Sequence, residues 1–286
     1  MKVLVTGAKG LLGTNLVPIL QLAGNEVIAT DIEELDITAT EQVMTSVSTL
    51  KPEVIINCAA YTQVDRAEEE RDKAFLVNGQ GVQNIALACA FHDIILYHIS
   101  TDYVFSGEKR SAYTPFDYPE PINTYGWSKL RGEQCLQNIC KRYFLVRTSW
   151  LYGRGGPNFV DRILALASSQ KEIRVVADQR GSPTWAVNLA RFISLTLGSK
   201  KYGVYHATDE TEGGITWFDL AQEIVRLAGM GVKVLPVTSD EFPRPASRPR
   251  NSVLDLSWTK IAFNVVFPDW KEGLRNYLKE KGVLSA

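Results

Sequence analysis

The sequence predicts an α/β protein: a doubly wound parallel sheet with a smaller C-terminal α/β lobe. Three observations predict it. The first half alternates short apolar runs with helical patterns, a glycine-rich turn follows the first of those runs, and after Trp150 the alternation gives way to glycine- and proline-rich segments. Strands regularly separated by helices need crossovers, hence parallel strands with helices on both faces.

In chain order, KVLVT reads as the first strand and LLGTNLVPILQLAG as the first helix. EVIAT is the second strand, TATEQVMTSVSTLK the second helix and EVIINCA the third strand. The segment DRAEEERDKAFLVNGQGVQNIALACAF reads as one long helix, followed by strand IILYHIS, helix YGWSKLRGEQCLQNIC and strand FLVRTSW. Beyond Trp150 two helices stand out, TWFDLAQEIVRLAG and DWKEGLRNYLKE, with short strands IRVVAD, GVYHATD and VKVLPV. Residues 1–150 are therefore expected to form one domain, and residues 151–286 mainly a second lobe, partly interleaved with the sheet.

The chain has 286 residues, 45% hydrophobic and 22% charged, with a net charge of -1. That balance describes an ordinary globular protein and gives no reason to expect nucleic acid or a membrane surface as partner. No apolar run approaches the roughly 18 to 20 residues of a membrane span, and KVLVTG starts at residue 2, leaving no room for a signal peptide. A cytoplasmic location is expected. Cys58, Cys89, Cys135 and Cys140 lack Cys-x-x-Cys spacing, so small buried thiols are expected rather than a zinc or redox site. The three scattered histidines are read as structural, and the acidic run Glu68, Glu69 and Glu70 as a solvated helix face.

Gly7, Gly10 and Gly13 lie between the first strand and first helix. Bare backbone there can turn tightly and let a pyrophosphate approach the helix N-terminus, where free amides and the helix dipole favour an anion. The position of the triplet makes residues 1–150 a candidate Rossmann-type, NAD(P)-binding domain. Asp31 follows Gly13 by 18 residues, close to the spacing of a carboxylate that accepts from the adenosine ribose. Taken alone it favours NADH, whereas Lys9 could reach a 2′-phosphate, so NADPH and NADH both stay open.

Tyr125 and Lys129 stand four residues apart in NTYGWSK, on one face of a helix. A cation beside a phenol favours phenolate, which gives a proton donor or acceptor usable near neutral pH. Ser100 and Thr101 end strand IILYHIS, where open parallel sheets place their ligands. A Thr101 hydroxyl there can donate to a carbonyl oxygen while Tyr125 supplies the proton.

The set TGAKGLLG, Thr101, Tyr125 and Lys129 resembles the extended short-chain dehydrogenase/reductase superfamily. More narrowly, NCAAYTQVDRAE, STDYVFSG, PINTYGWSKLRGE, VRTSWLYG, DQRGSPT and RPRNSVLD resemble the dTDP-4-dehydrorhamnose reductase family, over nearly the whole chain. The resemblance implies reduction of the C4 ketone of dTDP-4-dehydro-L-rhamnose to dTDP-L-rhamnose, with NADPH or NADH, as a step toward surface polysaccharide. Tyr125 would then be the general acid, Lys129 would hold the nicotinamide ribose and lower the Tyr125 pKa, and Thr101 would bind the carbonyl. It also implies a pyrophosphate loop at Gly10, Leu11 and Leu12, an adenine contact at Asp36 and Ile37, and a further cofactor contact at Ala60, Tyr61 and Thr62. Thr101, Asp102 and Trp150 would touch the sugar.

Arg248 and Arg250 are candidates for the nucleotide diphosphate, because guanidinium groups suit phosphate oxygens. Some members of the family form magnesium-bridged dimers through an acidic residue just after the glycine loop. Here that place reads Thr14-Asn15, so no metal requirement is expected; homodimerisation is left open. Two alternatives stand beside the reductase reading. One is a non-catalytic regulatory subunit resembling the methionine adenosyltransferase β subunit. The other is a related nucleotide-sugar enzyme: a reductase of another 4-ketosugar, or a dehydratase or epimerase, although Tyr103 follows Asp102 where dehydration commonly needs a second carboxylate.

Overall fold

The computed structural model describes residues 1–284. The elements of the first half are β1 (Lys2–Thr6), α1 (Leu11–Leu22), β2 (Glu26–Thr30), α2 (Thr40–Leu50), β3 (Val54–Asn57), α3 (Arg71–Phe75), α4 (Val82–His92), β4 (Ile95–Thr101), α5 (Thr124–Ile139) and β5 (Tyr143–Thr148). After them come β6 (Leu151–Tyr152), α6 (Phe159–Ser169), β7 (Glu172–Val176), β8 (Arg180–Gly181), β9 (Thr184–Trp185), α7 (Ala186–Thr196) and β10 (Gly203–His206). The chain ends with β11 (Ile215–Thr216), α8 (Trp217–Leu227), β12 (Lys233–Val237), α9 (Ser257–Phe263) and α10 (Trp270–Glu280).

The main sheet has the order β10-β5-β4-β3-β1-β2, with every pair parallel. Alternate residues of its central strands feed two cores, as the two-residue period of a strand requires. Val3, Val5, Val54 and Ile56 pack with Leu16 and Leu20 of α1 and Leu189 and Ile193 of α7. Leu4, Ile55, Leu96 and Leu145 pack on the other face with Val43 of α2, Ile85 of α4 and Leu136 of α5. Such two-sided burial explains why these strands read as unbroken apolar runs.

α7 and β10 both belong to this sheet domain, although they follow Trp150 in sequence. The remaining elements close over a third core, built from Val160, Ile163, Ile173, Leu220, Ile224, Leu274 and Tyr277. No described helix is long and apolar enough to cross a membrane.

Three local expectations are corrected. The long helix before β4 is broken: a 3₁₀ turn at Arg66–Glu68 and α3 lead into a π-helical segment, Leu76–Gly81, and only then α4. The glycines explain it. A Cβ on Gly81 would lie 2.7 Å from Ile37 Cδ1 and one on Gly79 3.0 Å from Arg131 Cγ, so the wide turn packs closely against both side chains. Helices α6 and α7 did not stand out in the sequence. Asn158 caps α6 by accepting from Asp161 N, the polar start that marks a helix even beside glycine and proline.

The acidic run is also more than a solvated face. Glu68 accepts from Thr124 N at 2.9 Å and Thr124 Oγ1 at 2.7 Å, at the start of α5. Glu70 accepts from the Tyr61 hydroxyl at 3.0 Å. Both carboxylates therefore tie loop to helix beside the cavity described next.

Candidate active site

The chain leaves β1 toward β2 on one side and returns to β3 on the other, so a crevice opens at the C-terminal ends of β1 and β3. It is the mouth of a cavity of about 750 Å³ that runs on past β4 to Trp150. Gly7, Gly10, Leu11, Leu12, Asp31, Asp36 and Ile37 line one end of it, and Ala60, Tyr61 and Thr62 the middle. Thr101, Asp102, Tyr125, Lys129 and Trp150 line the far end. Residues separated widely in sequence thus share one continuous space.

The glycine end is shaped by close backbone approach. Gly7 has φ +66°, and a Cβ there would lie 2.5 Å from Ala59 N. A Cβ on Gly13 would lie 2.4 Å from Gly7 O, so this third glycine sits beneath the loop and lets α1 press against it. No side chain caps α1, which leaves its first-turn amides for an anion. A backbone cradle that any Cβ would fill, open to a long cavity, fits a dinucleotide pyrophosphate.

Asp31 accepts from Lys9 N at 2.8 Å and from Ile32 N at 2.9 Å, so it braces the loop as well as lining the cavity. The Lys9 ammonium is held by Glu33 at 2.9 Å and Glu34 at 3.0 Å. A 2′-phosphate would have to compete with two carboxylates for it.

Helix α5 presents Tyr125 and Lys129 because its N-terminus is fixed from several sides. Asn123 accepts from Gly126 N at 2.7 Å, and Gly126 is needed there, since a Cβ would lie 2.2 Å from Tyr103 O. Asn78 in the π-helical turn joins the helix to the cavity wall: it donates to Ser128 Oγ at 2.9 Å and to Tyr61 O at 3.0 Å, and accepts from Tyr61 N at 2.9 Å. Lys129 is buried and donates to Ile99 O at 2.6 Å. Burial lowers its pKa to about 8, with Glu133 pulling the other way.

Tyr125 differs from the expectation that Lys129 lowers its pKa. Burial pushes the phenol up to about 12, opposed by the neighbouring Thr101 hydroxyl. Desolvation of a phenolate dominates, and the Lys129 ammonium is engaged by Ile99 O instead. At neutral pH the phenol therefore keeps its proton. Thr101 donates to Asp102 Oδ1 at 3.0 Å, while Asp102 Oδ2 is buried without a partner. Burial raises the Asp102 carboxyl to about 7.

Trp150 adopts a left-handed backbone, φ +47°, and its indole stacks on Trp217 with centroids 3.5 Å apart. A Cβ on Gly181 would lie 2.5 Å from that indole. Arg248 and Arg250 are not brought into the cavity. Arg248 donates to Asp65 at 2.5 Å and to Ala246 O at 2.6 Å, and Arg250 is exposed. The carboxylate of Asp65 already occupies the guanidinium that the sequence offered to phosphate.

The profile of the RmlD substrate binding domain family matches residues 1–283. The chain belongs to this family. An RmlD-type relative from Aggregatibacter actinomycetemcomitans, a dTDP-4-dehydrorhamnose reductase, is 40% identical over 96% of this chain and 97% of its own. A dTDP-4-keto-6-deoxy-D-glucose reductase from Streptomyces niveus is 41% identical over 88% of this chain and 87% of its own. The solved dTDP-4-dehydrorhamnose reductase of Bacillus anthracis str. Ames, in complex with NADP, has a TM-score of 0.94 at 42% identity, covering 98% of this chain and 100% of that one.

Within this RmlD fold the cavity also takes in residues that the sequence reading passed over. Gly155, Gly156 and Pro157 close over the glycine loop, with a Gly155 Cβ position 2.4 Å from Thr14 Oγ1. The glycine pair after β6 was the available signal. Trp217 carried none, because a tryptophan at the start of an amphipathic helix looks like core. Asn15 turns inward, donating to Leu11 O and Arg154 O. Among the described residues no group of three or more His, Cys, Asp or Glu is placed to hold a metal ion.

Proposed function

We propose that this chain reduces the C4 ketone of dTDP-4-dehydro-L-rhamnose to dTDP-L-rhamnose, using NADPH or NADH, in the supply of activated sugar for surface polysaccharide. The observation that carries the reading is one cavity joining a dinucleotide cradle to Thr101, Tyr125 and Lys129, in a chain whose full-length relatives are named for this reaction. A bound nicotinamide supplies hydride to C4.

Tyr125 is assigned the proton donor. A phenol held protonated by burial suits this direction of reaction, because the oxygen that develops negative charge needs an acid beside it. Thr101 donates to the same oxygen, turning from Asp102. Lys129 holds the nicotinamide ribose. Asp102 lines the cavity beside Thr101 and is assigned to the sugar end, and Trp150 forms an apolar wall for the deoxysugar. Arg248 reaches the diphosphate only if Asp65 releases it.

The test is loss of nicotinamide absorbance with NADPH and NADH in separate assays, with the ketosugar generated in place and EDTA present. Sugar-dependent oxidation supports the reading; tight cofactor binding with no turnover would sink it in favour of a different ketosugar or of a regulatory subunit. The Streptomyces niveus relative favours a second reading, a different dTDP-linked 4-keto-6-deoxysugar. Comparing kcat/KM for the two ketosugars separates them.

A further inference from the structure

Tyr125 and Lys129 continue into a third residue that the reaction as described does not use. Glu133 follows Lys129 by four residues on α5, so the three share one helical face. Its carboxylate is fully buried beneath the sheet end. Ser100 donates to Oε1 at 2.5 Å, and Arg147 donates through Nε to Oε1 at 3.0 Å and through Nη2 to Oε2 at 2.6 Å. Ser100 and Arg147 are directly paired across β4 and β5. Ser100 immediately precedes Thr101, and the Ile99 carbonyl that receives the Lys129 ammonium is the residue before it.

We propose that Glu133 is a positioning residue that keeps Lys129 cationic and locks its helix to the strand end bearing Thr101. Several groups surround Lys129. Cys58 is a neutral thiol whose pKa burial pushes up to about 12, and His98 is neutral, its pKa far below the usual value through burial and the Lys129 charge. Tyr125 is a neutral phenol on the same helix. Arg147 is ion-paired with Glu133 at 2.6 Å, and Asp102 acts on Tyr125. Glu133 is thus the carboxylate that favours the Lys129 charge. Without it, burial has less to oppose it, and the ammonium gives up its proton at lower pH.

The inference deepens the reductase reading, on which the role of Lys129 rests, but its test needs no sugar. In ¹³Cε-lysine NMR titrations of the free protein, Glu133→Gln should move the Lys129 midpoint to lower pH. NADPH affinity, followed by nicotinamide fluorescence, should fall roughly tenfold at mildly alkaline pH and much less at mildly acidic pH. Removing one partner of a buried ion pair can unfold a protein, so Glu133→Gln/Arg147→Met supplies a neutral, folded comparison. It too should show the lowered midpoint. An unmoved midpoint in both variants, with affinity reduced equally at every pH, would overturn the proposal and leave Glu133 a structural residue. A lowered midpoint in a protein that reduces no ketosugar would support the proposal while removing the reductase reading.

Discussion

The indole of Trp150 lies flat on that of Trp217, with ring centroids 3.5 Å apart and planes tilted by 10°. Trp150 lines the cavity, whereas Trp217 is the first residue of α8 in the C-terminal lobe. The stack therefore couples the Trp150 end of the cavity to the C-terminal lobe. Phe159 supports Trp217 from α6, with centroids 4.6 Å apart.

Removing the support should loosen the wall without touching the cofactor end. A well-placed aromatic pair contributes about 0.5–1.5 kcal/mol beyond its buried area. Trp217→Ala is expected to raise KM for the dTDP-linked sugar several-fold and to leave NADPH affinity within about twofold. Steady-state kinetics with a fluorescence titration of NADPH checks it, and an unchanged KM would mean that Trp150 holds its place alone.

The three glycines of the loop should not be equally sensitive. A Cβ on Gly13 meets Gly7 O at 2.4 Å and Ala8 Cα at 2.5 Å, both backbone atoms that cannot step aside. A Cβ on Gly10 meets only Gly7 O, at 3.2 Å. Gly13→Ala is expected to cost about 1–3 kcal/mol of stability and most NADPH binding, with Gly10→Ala much milder in stability. Urea denaturation of both variants decides it; equal destabilisation would contradict the packing argument.

Tyr125→Phe removes the proposed proton donor but keeps the ring, which stacks edge-on against Tyr103 at 5.9 Å. Loss of a general acid typically costs 10²–10⁴-fold, and kcat is expected to fall by about that much with NADPH affinity nearly unchanged. Turnover at the wild-type rate would remove Tyr125 from the role.

Much of this was legible in the sequence because the signals are local. The glycine triplet sits between a strand and a helix, and Tyr125 and Lys129 share one helix face, so their neighbourhood follows from spacing alone. What the sequence hid depends on contacts between distant segments. Nothing near Glu133 in the sequence shows that Ser100 and Arg147 close on it from two strands. Arg248 looked free for phosphate because nothing nearby in sequence reveals Asp65 as its partner. The Tyr125 pKa was misjudged for the same reason: spacing gives the cation, whereas burial, the larger effect here, comes from the whole fold.

Cofactor preference should be tunable beside Asp31. Lys9 is bound by Glu33 and Glu34, all well exposed, so the pairs hold weakly. Both glutamates also repel a 2′-phosphate. The double change Glu33→Gln/Glu34→Gln frees the ammonium and is expected to lower KM for NADPH several-fold relative to NADH. An unaltered ratio of kcat/KM values would show that Lys9 does not reach the adenosine ribose.

Asp102 gives a pH dependence whose sign follows from its burial. Its carboxyl is shifted from 3.8 up to about 7 because a buried carboxylate is poorly solvated, and Oδ2 finds no partner. Between those values the folded protein holds a proton that the unfolded chain has lost. Stability from this group is therefore complete below about pH 4 and disappears as pH rises through about 7. Asp102→Asn has no proton to lose, so relative to wild type it should gain about 4 kcal/mol on going from pH 4 to pH 8. Asp209, buried and likewise raised to about 7, remains in the variant, so some decline with pH should persist. Urea unfolding of both proteins at several pH values measures the difference. A gap between them that does not grow with pH would mean that Asp102 is ionised throughout, with water or Ser252 supplying the partner that its second oxygen needs.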